Sequence, residues 1–430
     1  MLVVLIFTVL VVLILAGLPI AVAMGLTAVG FFIGLGEPRM MGAMAQRMYS
    51  ASTAIPLLAI PFFILAGNLM NAGGMTDRIF GFAKTVVGHV RGGLAHVSVL
   101  ASMLFAGISG AALAEAMGLG VIEIKAMKDA GFDKPFAGAV VASSSTIGPV
   151  IPPSIPLVIY GALAEVSVGA LFLGGVVPGV AMGLGIMAII YVLAWRRSYR
   201  AEARASLREV ARSGFNGILG LLAPAIIMGG ILGGAFTPTE AAVAAVIYAL
   251  AVGVLVYREL DMRKLGKILW ETVDQTVRVM FIIAAAGMFG WLLVYIRAAQ
   301  EVVELLTTLT DSKAMILLIF NVVLLVLGCF MEGIAIMLLT IPIFLPVMAK
   351  FGIDPVHFGV VMTLNLMIGL LTPPVGMVLY AVSTIAEVPV VKLARELLPF
   401  ICVLTGVLLL ITYVPELVTF LPNLVMGTGR

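Results

Sequence analysis

The stretch Ser143–Pro156, "SSSTIGPVIPPSIP", decides how this chain folds. Four hydroxyl residues are followed by a glycine and four prolines, and long apolar runs stand on both sides. Proline removes an amide donor and clashes with the preceding turn, so a regular helix cannot pass through this stretch. Lipid cannot satisfy the backbone groups that are freed. The segment is therefore expected to unwind where protein or water lines it.

The composition is that of a membrane protein. The chain has 430 residues, of which 62% are hydrophobic and 11% charged, and its mean hydropathy is +1.20. Soluble domains carry about 25% charged residues, and a helix that spans a bilayer needs about 20 apolar ones. Apolar runs of that length recur along the chain and start at its first residues. They predict an all-α polytopic membrane protein, with a first membrane helix rather than a cleaved signal at the start.

Several function classes lack their signatures in this sequence. It contains no phosphate-binding loop, no zinc motif and no basic patch for nucleic acid. Cys329 and Cys402 both lie in apolar runs and are predicted to be small buried side chains without a disulfide. We therefore expect neither an enzyme nor a protein with an organic cofactor.

The chain repeats itself. Met127–Pro153, "MKDAGFDKPFAGAVVASSSTIGPVIPP", aligns without a gap with Met348–Pro374, "MAKFGIDPVHFGVVMTLNLMIGLLTPP", at an offset of 221 residues. The alignment superimposes a Gly-x-Asp motif, a later Ile-Gly pair and a Pro-Pro pair in one register. Chance matches between two apolar segments do not explain all three. We therefore predict two structural repeats, residues 1–212 and 213–430.

Basic residues predict how the repeats cross the membrane. The segment Arg196–Arg212 holds six arginines and should be cytoplasmic, because positive charge stays on that side. Crossings counted from there give each repeat five transmembrane helices, one of them broken, and one re-entrant hairpin. An odd number of crossings inverts the second repeat relative to the first. The hairpins are predicted at about 92–126 and 314–348, and the broken helices at about 136–160 and 356–381.

Inversion would bring both helix breaks and both hairpin tips to the middle of the bilayer. Helix N-termini there favour anions, and freed carbonyl and hydroxyl oxygens favour a hard cation such as sodium. Ser144 and Asn365 occupy equivalent positions and are the first pair of candidate ligands, followed by Thr146 and Thr372. Alternatively, the hydroxyl residues that begin with Ser143 only pack a kinked helix, since small residues are common at membrane helix contacts.

Two acidic residues are predicted inside the hairpins. Glu115 lies in the first hairpin and Glu332 at the tip of the second. An acid within the membrane is costly and is a functional candidate by default, although a protonated, hydrogen-bonded structural role is the alternative. A separate motif, Thr237-Pro238-x-Glu240, predicts a capping box at the start of a helix.

Four longer motifs resemble a known family, the large membrane subunit of tripartite ATP-independent periplasmic (TRAP) transporters, of the dicarboxylate-transporter M type. They are "FAGISGAALAEAMGLG" (Phe105–Gly120), "GFDKPFAGAVVASSSTIGPVIPPSIPLVIYG" (Gly131–Gly161), "GAFTPTEAAVAAVIYAL" (Gly234–Leu250) and "LNLMIGLLTPPVGMVLY" (Leu364–Tyr380). The resemblance covers nearly the whole chain. No single motif is specific to the family, but the four together are.

The resemblance implies an elevator-type secondary transporter in the bacterial inner membrane. Such a protein imports an organic acid, for example a dicarboxylate or sialic acid, together with sodium. It takes the substrate from a periplasmic binding protein and works with a small four-helix membrane subunit. A stand-alone elevator-type anion carrier without a binding protein is the alternative, and an intramembrane enzyme or a passive channel fits less well.

The resemblance also implies where sodium and substrate bind. The implied positions are Gly107, Ser109, Gly110, Ser143, Ser144, Ser145, Thr146, Gly328, Glu332, Asn365, Gly369 and Thr372. The breaks themselves are made by Pro149, Pro152, Pro153, Pro373 and Pro374, and Glu115 is a possible coupling acid. One departure affects this set, because Ala111 and Glu115 stand where the family often has serine and aspartate. A sodium-ligand role at those two positions is therefore in doubt.

The expected mechanism divides the chain into two moving parts. A transport domain made of both hairpins and both broken helices would slide against a scaffold of the remaining helices. The segments Gly36–Ser50 and Leu260–Arg278 occupy corresponding places before equivalent helices and are predicted to be amphipathic arms that join the two parts.

Overall fold

The computed structural model describes residues 2–199 and 201–427, and the side chains of all of these except Pro38, Gly107, Ile108 and Ser109. The described residues form helices and no strands, which confirms the predicted all-α class. Seven helical segments in this part of the chain are long and apolar enough to cross a membrane: Ile55–Ala72, Val168–Arg196, Leu207–Leu232, Pro238–Val256, Met262–Tyr295, Gly333–Phe351 and Val390–Tyr413. The protein is therefore a multi-pass membrane protein.

The first half contains eleven α-helices among the described residues. They are α1 (Leu2–Leu15), α2 (Ile20–Gly34), α3 (Met41–Ser52), α4 (Ala59–Ala72), α5 (Met75–Val87), α6 (Gly93–Ser109), α7 (Ala112–Met117), α8 (Leu119–Asp129), α9 (Lys134–Ser145), α10 (Ile155–Ala164) and α11 (Val168–Arg196). Short 3₁₀ turns at Pro38–Met40 and Ile55–Leu58 precede α3 and α4.

The second half contains ten described α-helices. They are α12 (Leu207–Leu232), α13 (Pro238–Ala251), α14 (Met262–Tyr295), α15 (Ala298–Leu309), α16 (Lys313–Gly328), α17 (Gly333–Phe351), α18 (Pro355–Gly369), α19 (Met377–Ala386), α20 (Val390–Tyr413) and α21 (Glu416–Met426). A π-helical turn, Val252–Val256, extends α13. The predicted repeat boundary after Arg212 falls inside α12, because a capping box of Ser206 and Glu209 already starts that helix.

The helices of the two halves correspond at the offset read from the sequence. Helix α6 corresponds to α16, α7 and α8 together to α17, α9 to α18, α10 to α19 and α11 to α20. The Pro152–Pro153 and Pro373–Pro374 peptide bonds, which stand at equivalent positions, are both cis. Corresponding helices and cis peptide bonds therefore recur in both halves. In the sequence itself, the repeat is clear only between Met127–Pro153 and Met348–Pro374.

The two halves interlock through exchanged pairs of contacts. Helices α7 and α8 pack against α19, and their counterpart α17 packs against α10, the counterpart of α19. In the same way α9 packs against α20 while α18 packs against α11. Each hairpin thus holds the second segment of the other half's broken helix, so the hairpins and broken helices form one packed unit.

The two segments predicted as arms are helical but differ in continuity. Helix α3 ends at Ser52 and a 3₁₀ turn separates it from α4, whereas α14 runs unbroken from Met262 to Tyr295. Helix α14 packs against α2, α3 and α4. The first predicted arm is therefore separated from the next helix by a turn at Thr53–Leu58, whereas the second is continuous with its helix.

The capping box of α13 and the two cysteines were also predicted from the sequence. Thr237 and Glu240 form the predicted capping box at the start of α13. Cys329 is half-buried and Cys402 is exposed, so the prediction that both cysteines are buried was wrong. Cys402 lies on the outer face of α20, where an apolar run faces lipid as readily as protein.

Candidate functional site

The first helix break is completely enclosed by protein. Helix α9 ends at Ser145 and α10 begins at Ile155, with Ser154 as its N-cap. Pro149, Pro152 and Pro153 cannot donate to the carbonyls four residues before them, so the helical ladder is interrupted here. The Ser154 hydroxyl donates to the Pro149 carbonyl and accepts from the Leu157 amide. Every residue from Ser143 to Ser154 is buried except the half-buried Ile151.

The predicted hydroxyl ligands of the first break all donate into their own helix. Ser143 Oγ donates to the Ala139 carbonyl at 2.8 Å, and Thr146 Oγ1 donates to the Ser143 carbonyl at 2.6 Å. Ser144 and Ser145 do the same to Val141 and Ala142. A hydroxyl that donates its proton keeps two lone pairs. These oxygens can therefore still accept a contact from a cation.

The second break is open on one side. Helix α18 ends at Gly369 and α19 begins at Met377, after Gly376 with a positive φ of 39°. The Leu370 carbonyl, which Pro374 cannot satisfy, accepts from the amides of Val378 and Leu379 instead. Thr372 Oγ1 donates to the Ile368 carbonyl at 2.8 Å. Pro373, Pro374 and Val375 are exposed, in contrast to the buried first break.

Each hairpin tip touches the break of its own half. Gly110, between α6 and α7, has a positive φ, and a Cβ placed on it would lie 3.0 Å from the Pro153 carbonyl oxygen. At the other tip, the Val375 amide donates to the Cys329 carbonyl at 3.0 Å. A Cβ on Gly369 would lie 2.7 Å from the Gly328 Cα, so the ends of α16 and α18 meet backbone to backbone.

Asn365 is the centre of a buried polar network in the second half. Its Nδ2 donates to the Asn321 backbone carbonyl at 3.0 Å and to Asn321 Oδ1 at 2.7 Å. Asn321 Nδ2 in turn donates to Thr412 Oγ1 at 3.0 Å. Asn365 is fully buried, yet its Oδ1 has no hydrogen-bond partner in the described part of the protein. A buried acceptor without a donor is costly, and a cation would satisfy it.

The two hairpin acids occupy different environments. Glu332 is the N-cap of α17, and its carboxylate accepts from the Ala335 amide at 3.3 Å. Glu115 lies on α7 and is 2% exposed, and neither of its carboxylate oxygens has a hydrogen-bond partner among the described residues. A Cβ on Gly148 would lie 2.6 Å from Glu115 Oε2, so this carboxyl group faces the first break.

The structure brings most of the predicted site residues to the two regions where a tip meets a break. Gly107 and Ser109 lie outside the residues whose surroundings the structure describes, so their predicted role stays a prediction. Sequence reasoning missed four polar side chains next to the site: Ser98, Glu123, Asn321 and Thr412. Asn321 had a signal, since it is the lone amide of the apolar helix α16, whereas Glu123 stands among other charged residues of α8. Only the fold reveals what either side chain contacts.

Charged residues gather at one end of the interlocked unit, mostly outside the membrane-spanning segments. Lys134 Nζ donates to Glu387 Oε2 at 2.6 Å, and this hydrogen bond lowers the pKa of the Glu387 carboxyl. Tyr199 donates to Asp133 Oδ2 at 2.7 Å, and burial of Tyr199 raises the pKa of its hydroxyl, to which the Asp133 contact also contributes. Arg197 pairs with Glu396 of α20. These contacts tie the starts of α9 and α20 together.

The donor set suits an alkali cation and an anion rather than a transition metal. Among residues 2–199 and 201–427, no group of three His, Cys, Asp or Glu side chains is placed to hold a metal ion. The oxygens at the breaks come from hydroxyl, amide and backbone carbonyl groups, which are the ligands of hard cations.

Comparison with known proteins agrees with this architecture. Residues 7–417 match the family model described as "Tripartite ATP-independent periplasmic transporter, DctM component". The chain is 44% identical over 415 residues to the sialic acid TRAP transporter large permease protein SiaM of Vibrio cholerae, covering 96% of this chain and 97% of that protein. It is 42% identical to the C4-dicarboxylate TRAP transporter large permease protein DctM of Pseudomonas aeruginosa, covering 90% and 91%.

A solved structure supports the fold alone. The crystal structure of the Alcanivorax borkumensis YdaH transporter, described as having an unusual topology, matches with a TM-score of 0.65. The match covers 88% of each chain at 16% sequence identity. The resemblance seen in the four motifs is therefore supported by both the family match and the close relatives.

Proposed function

This chain belongs to the DctM component family of the tripartite ATP-independent periplasmic transporters, a class of transporter permeases and not of enzymes, and on that premise we propose that it imports an organic acid coupled to sodium. The relatives named above are named for sialic acid and for C4-dicarboxylates, so a carboxylate is the substrate class that we propose. The protein would reside in the bacterial inner membrane.

The unpartnered Asn365 Oδ1 is the observation that carries sodium coupling. It is buried next to the second break, where α18 ends and its last carbonyls lose their helical donors. Na⁺ bound there would satisfy the amide oxygen. In the first half, Ser143, Ser144 and Thr146 keep acceptor lone pairs at the equivalent place. We assign one sodium site to each half, with the tip residues Gly107, Ser109, Gly110, Gly328 and Glu332 beside them.

Elevator-type movement is the mechanism that this packing favours. The hairpins and broken helices form one interlocked unit, and the arms α3 and the first part of α14 connect it to the remaining helices. Sodium would draw each tip onto its break through contacts such as that between Cys329 and Val375. The substrate carboxylate would then bind at the helix N-termini between the ordered tips.

Two partners follow from the family rather than from this chain. We propose a small membrane subunit, predicted to have four helices, and a periplasmic substrate-binding protein that delivers the acid. Some relatives are longer than this chain: it covers 66% of the sialic acid TRAP transporter permease protein SiaT of Haemophilus influenzae. The second candidate, a stand-alone carrier, predicts that free substrate alone is sufficient.

Uptake into proteoliposomes tests the proposal. The chain and its small subunit are reconstituted and given labelled sialic acid or succinate, with or without the binding protein and an inward sodium gradient. We expect uptake only when both the sodium gradient and the binding protein are present. Equal uptake of free substrate would favour the stand-alone carrier, and uptake without sodium would refute the coupling. Gln300→Ala, far along the chain on α15, serves as the matched control for Asn365→Ala, which should lose sodium dependence.

A further inference from the structure

The first hairpin contains a buried polar cluster that the proposed sodium sites do not use. Glu115 on α7 and Glu123 on α8 are each 2% exposed, and Ser98 and Ser102 on α6 are also buried. Ser98 Oγ donates to Glu123 Oε2. Both oxygens of Glu115 and Oε1 of Glu123 have no hydrogen-bond partner among the described residues. Glu115 and Glu123 are both buried and lie close enough for their charges to interact.

No positive charge compensates these two acids in the described structure. Helices α6, α7, α9 and α19 pack against α8. Their titratable side chains near this region are His96 of α6, which is buried with Nε2 unpartnered, Lys134 at the start of α9, and Tyr380 of α19. Lys134 is partly exposed and pairs with Glu387. The lysines of α8 itself, Lys125 and Lys128, are exposed.

Two neighbouring carboxyl groups cannot both stay ionised in such a place. Burial disfavours the charged form of each, and a like charge nearby disfavours it further. A pair of this kind binds and releases protons as one coupled unit. A protonated carboxyl group has one O–H, which can donate to a neighbouring oxygen, so one proton can be held between two nearby carboxyl groups.

The cluster lies beside the first helix break, so a change in its charge would act on an ion bound at that break. Glu115 Oε2 faces Gly148 of the first break. Gly118 separates α7 from α8, and Gly120 packs tightly against Val141 of α9. The acids therefore sit on the hairpin that touches the break, and they move with it if the hairpin moves.

The hairpin fold does not require this cluster. The equivalent residues of the second hairpin are Leu317, Ile319, Val323, Ile336 and Phe344, all apolar. Phe344 stacks on Phe320 with ring centroids 4.0 Å apart, where the first hairpin has the contact between Ser98 and Glu123. Apolar side chains thus fill the corresponding positions of the second hairpin, so acids are not needed there to complete the packing of a hairpin.

We propose that Glu115 and Glu123 form a proton-binding pair, and that the first hairpin carries a proton across the membrane together with sodium and substrate. One carboxylate takes a proton from water on the outer side and returns it to water on the inner side, and no other reactant is needed. This inference rests on the proposed transport function. It adds a second coupling ion at a site separate from Asn365 and the break hydroxyls.

The test measures proton movement during transport. The complex with its small subunit is reconstituted with a pH-sensitive dye trapped inside, the membrane potential is clamped, and the inward sodium gradient is fixed. We expect the lumen to acidify only when binding protein and substrate are added, and an inward proton gradient to raise the initial uptake rate. Glu123→Gln, which mimics the protonated acid, should abolish both effects while uptake still depends on sodium. Glu165→Gln, an exposed acid beyond α10, is the matched control and should change neither.

The outcomes separate this inference from the proposed function. Sodium- and binding-protein-dependent uptake without acidification would overturn the proton pair and leave the proposed function intact. If no sodium-dependent uptake occurs at all, the proposed function fails, and infrared spectroscopy of the purified complex then decides about the pair. A protonated-carboxyl band that titrates near neutral pH and is lost in Glu123→Gln would support it. A band that never titrates, or weaker sodium binding in Glu123→Gln without any proton movement, would overturn it.

Discussion

The two hairpins consist of corresponding helices but bury different side chains. The first encloses Ser98, Glu115 and Glu123, whereas the second encloses the stacked rings of Phe320 and Phe344, which Phe358 of α18 meets edge-on. Corresponding helices thus enclose acidic and hydroxyl side chains in the first hairpin and packed aromatic rings in the second. Backbone geometry is set by the prolines and glycines that both halves keep, while the side chains between them have diverged.

The two breaks also differ, both in their exposure and in the polar groups beside them. The first is enclosed and lined by hydroxyl groups that bond to their own helix, whereas the second is exposed at Pro373–Val375 and lies beside the Asn321–Asn365 network. Open surface at the second break leaves room for substrate, and enclosure at the first suits an ion. The comparison implies that a substitution at one position and its counterpart will have unequal effects.

Truncating Phe344 should give the largest effect and tests whether the second hairpin depends on shape. Phe344→Ala opens a cavity beside Phe320 and Phe358, and lost packing of an aromatic ring costs about 3 kcal/mol. Glu123→Ala, at the equivalent position, should cost clearly less because it also removes a buried polar group whose burial is unfavourable. Thermal unfolding of both variants in detergent measures the difference. Equal losses of stability would show that the second hairpin does not depend on packing more than the first.

Adding a methyl group at Gly369 should give the next largest effect. In Gly369→Ala the new Cβ would lie 2.7 Å from the Gly328 Cα, and backbone cannot move aside cheaply. Overpacking of this kind costs about 2 kcal/mol. In Gly148→Ala the new Cβ meets the end of the Glu115 side chain, which can rotate away. We therefore expect Gly369→Ala to lose more thermal stability than Gly148→Ala. A larger loss of stability for Gly148→Ala would contradict the close approach of α16 and α18.

The amide candidate of the second half and the hydroxyl candidate of the first should differ less in their effect on stability. Asn365→Ala leaves Asn321 Oδ1 without its donor, and an unsatisfied buried acceptor costs about 1–2 kcal/mol. Ser144→Ala removes only a bond from a hydroxyl to its own helix and should cost less than about 1 kcal/mol. Stability measured without sodium tests this, and the sodium dependence of unfolding tests the proposed ligand role separately. If sodium stabilises Asn365→Ala as much as the unchanged protein, Asn365 is not a ligand.

Much of the architecture was predictable, because prolines and glycines act locally. The Pro-Pro pairs indicate where helices must end, and α9 and α18 do end before them. The division into two inverted repeats with hairpins stays a prediction. The partners of the site side chains were not predictable. Asn321 stands 44 residues from Asn365, and Ser98 stands 25 from Glu123. Nothing local in the sequence shows that such pairs meet, since packing between helices decides it.

The smallest expected effect concerns the ion pair between the halves at the charged end. Lys134 and Glu387 are both partly exposed, so salt screens their attraction. Lys134→Ala should therefore change thermal stability only slightly near neutral pH, and less at high salt. Arg197→Ala should have the larger effect, because the guanidinium also lies over the ring of Phe136 and pairs with Glu396.

The pH dependence of that pair has a definite sign. The hydrogen bond from Lys134 lowers the pKa of Glu387 in the folded protein. The contribution of this bond to folding stability is therefore complete above the ordinary carboxyl pKa of 4.5. It is lost as the pH falls through the lower folded value. The unchanged protein should therefore lose its small advantage over Lys134→Ala as the pH falls below that ordinary value, in thermal scans that compare the two at each pH. An advantage that grows on acidification would show that Glu387 does not accept from Lys134.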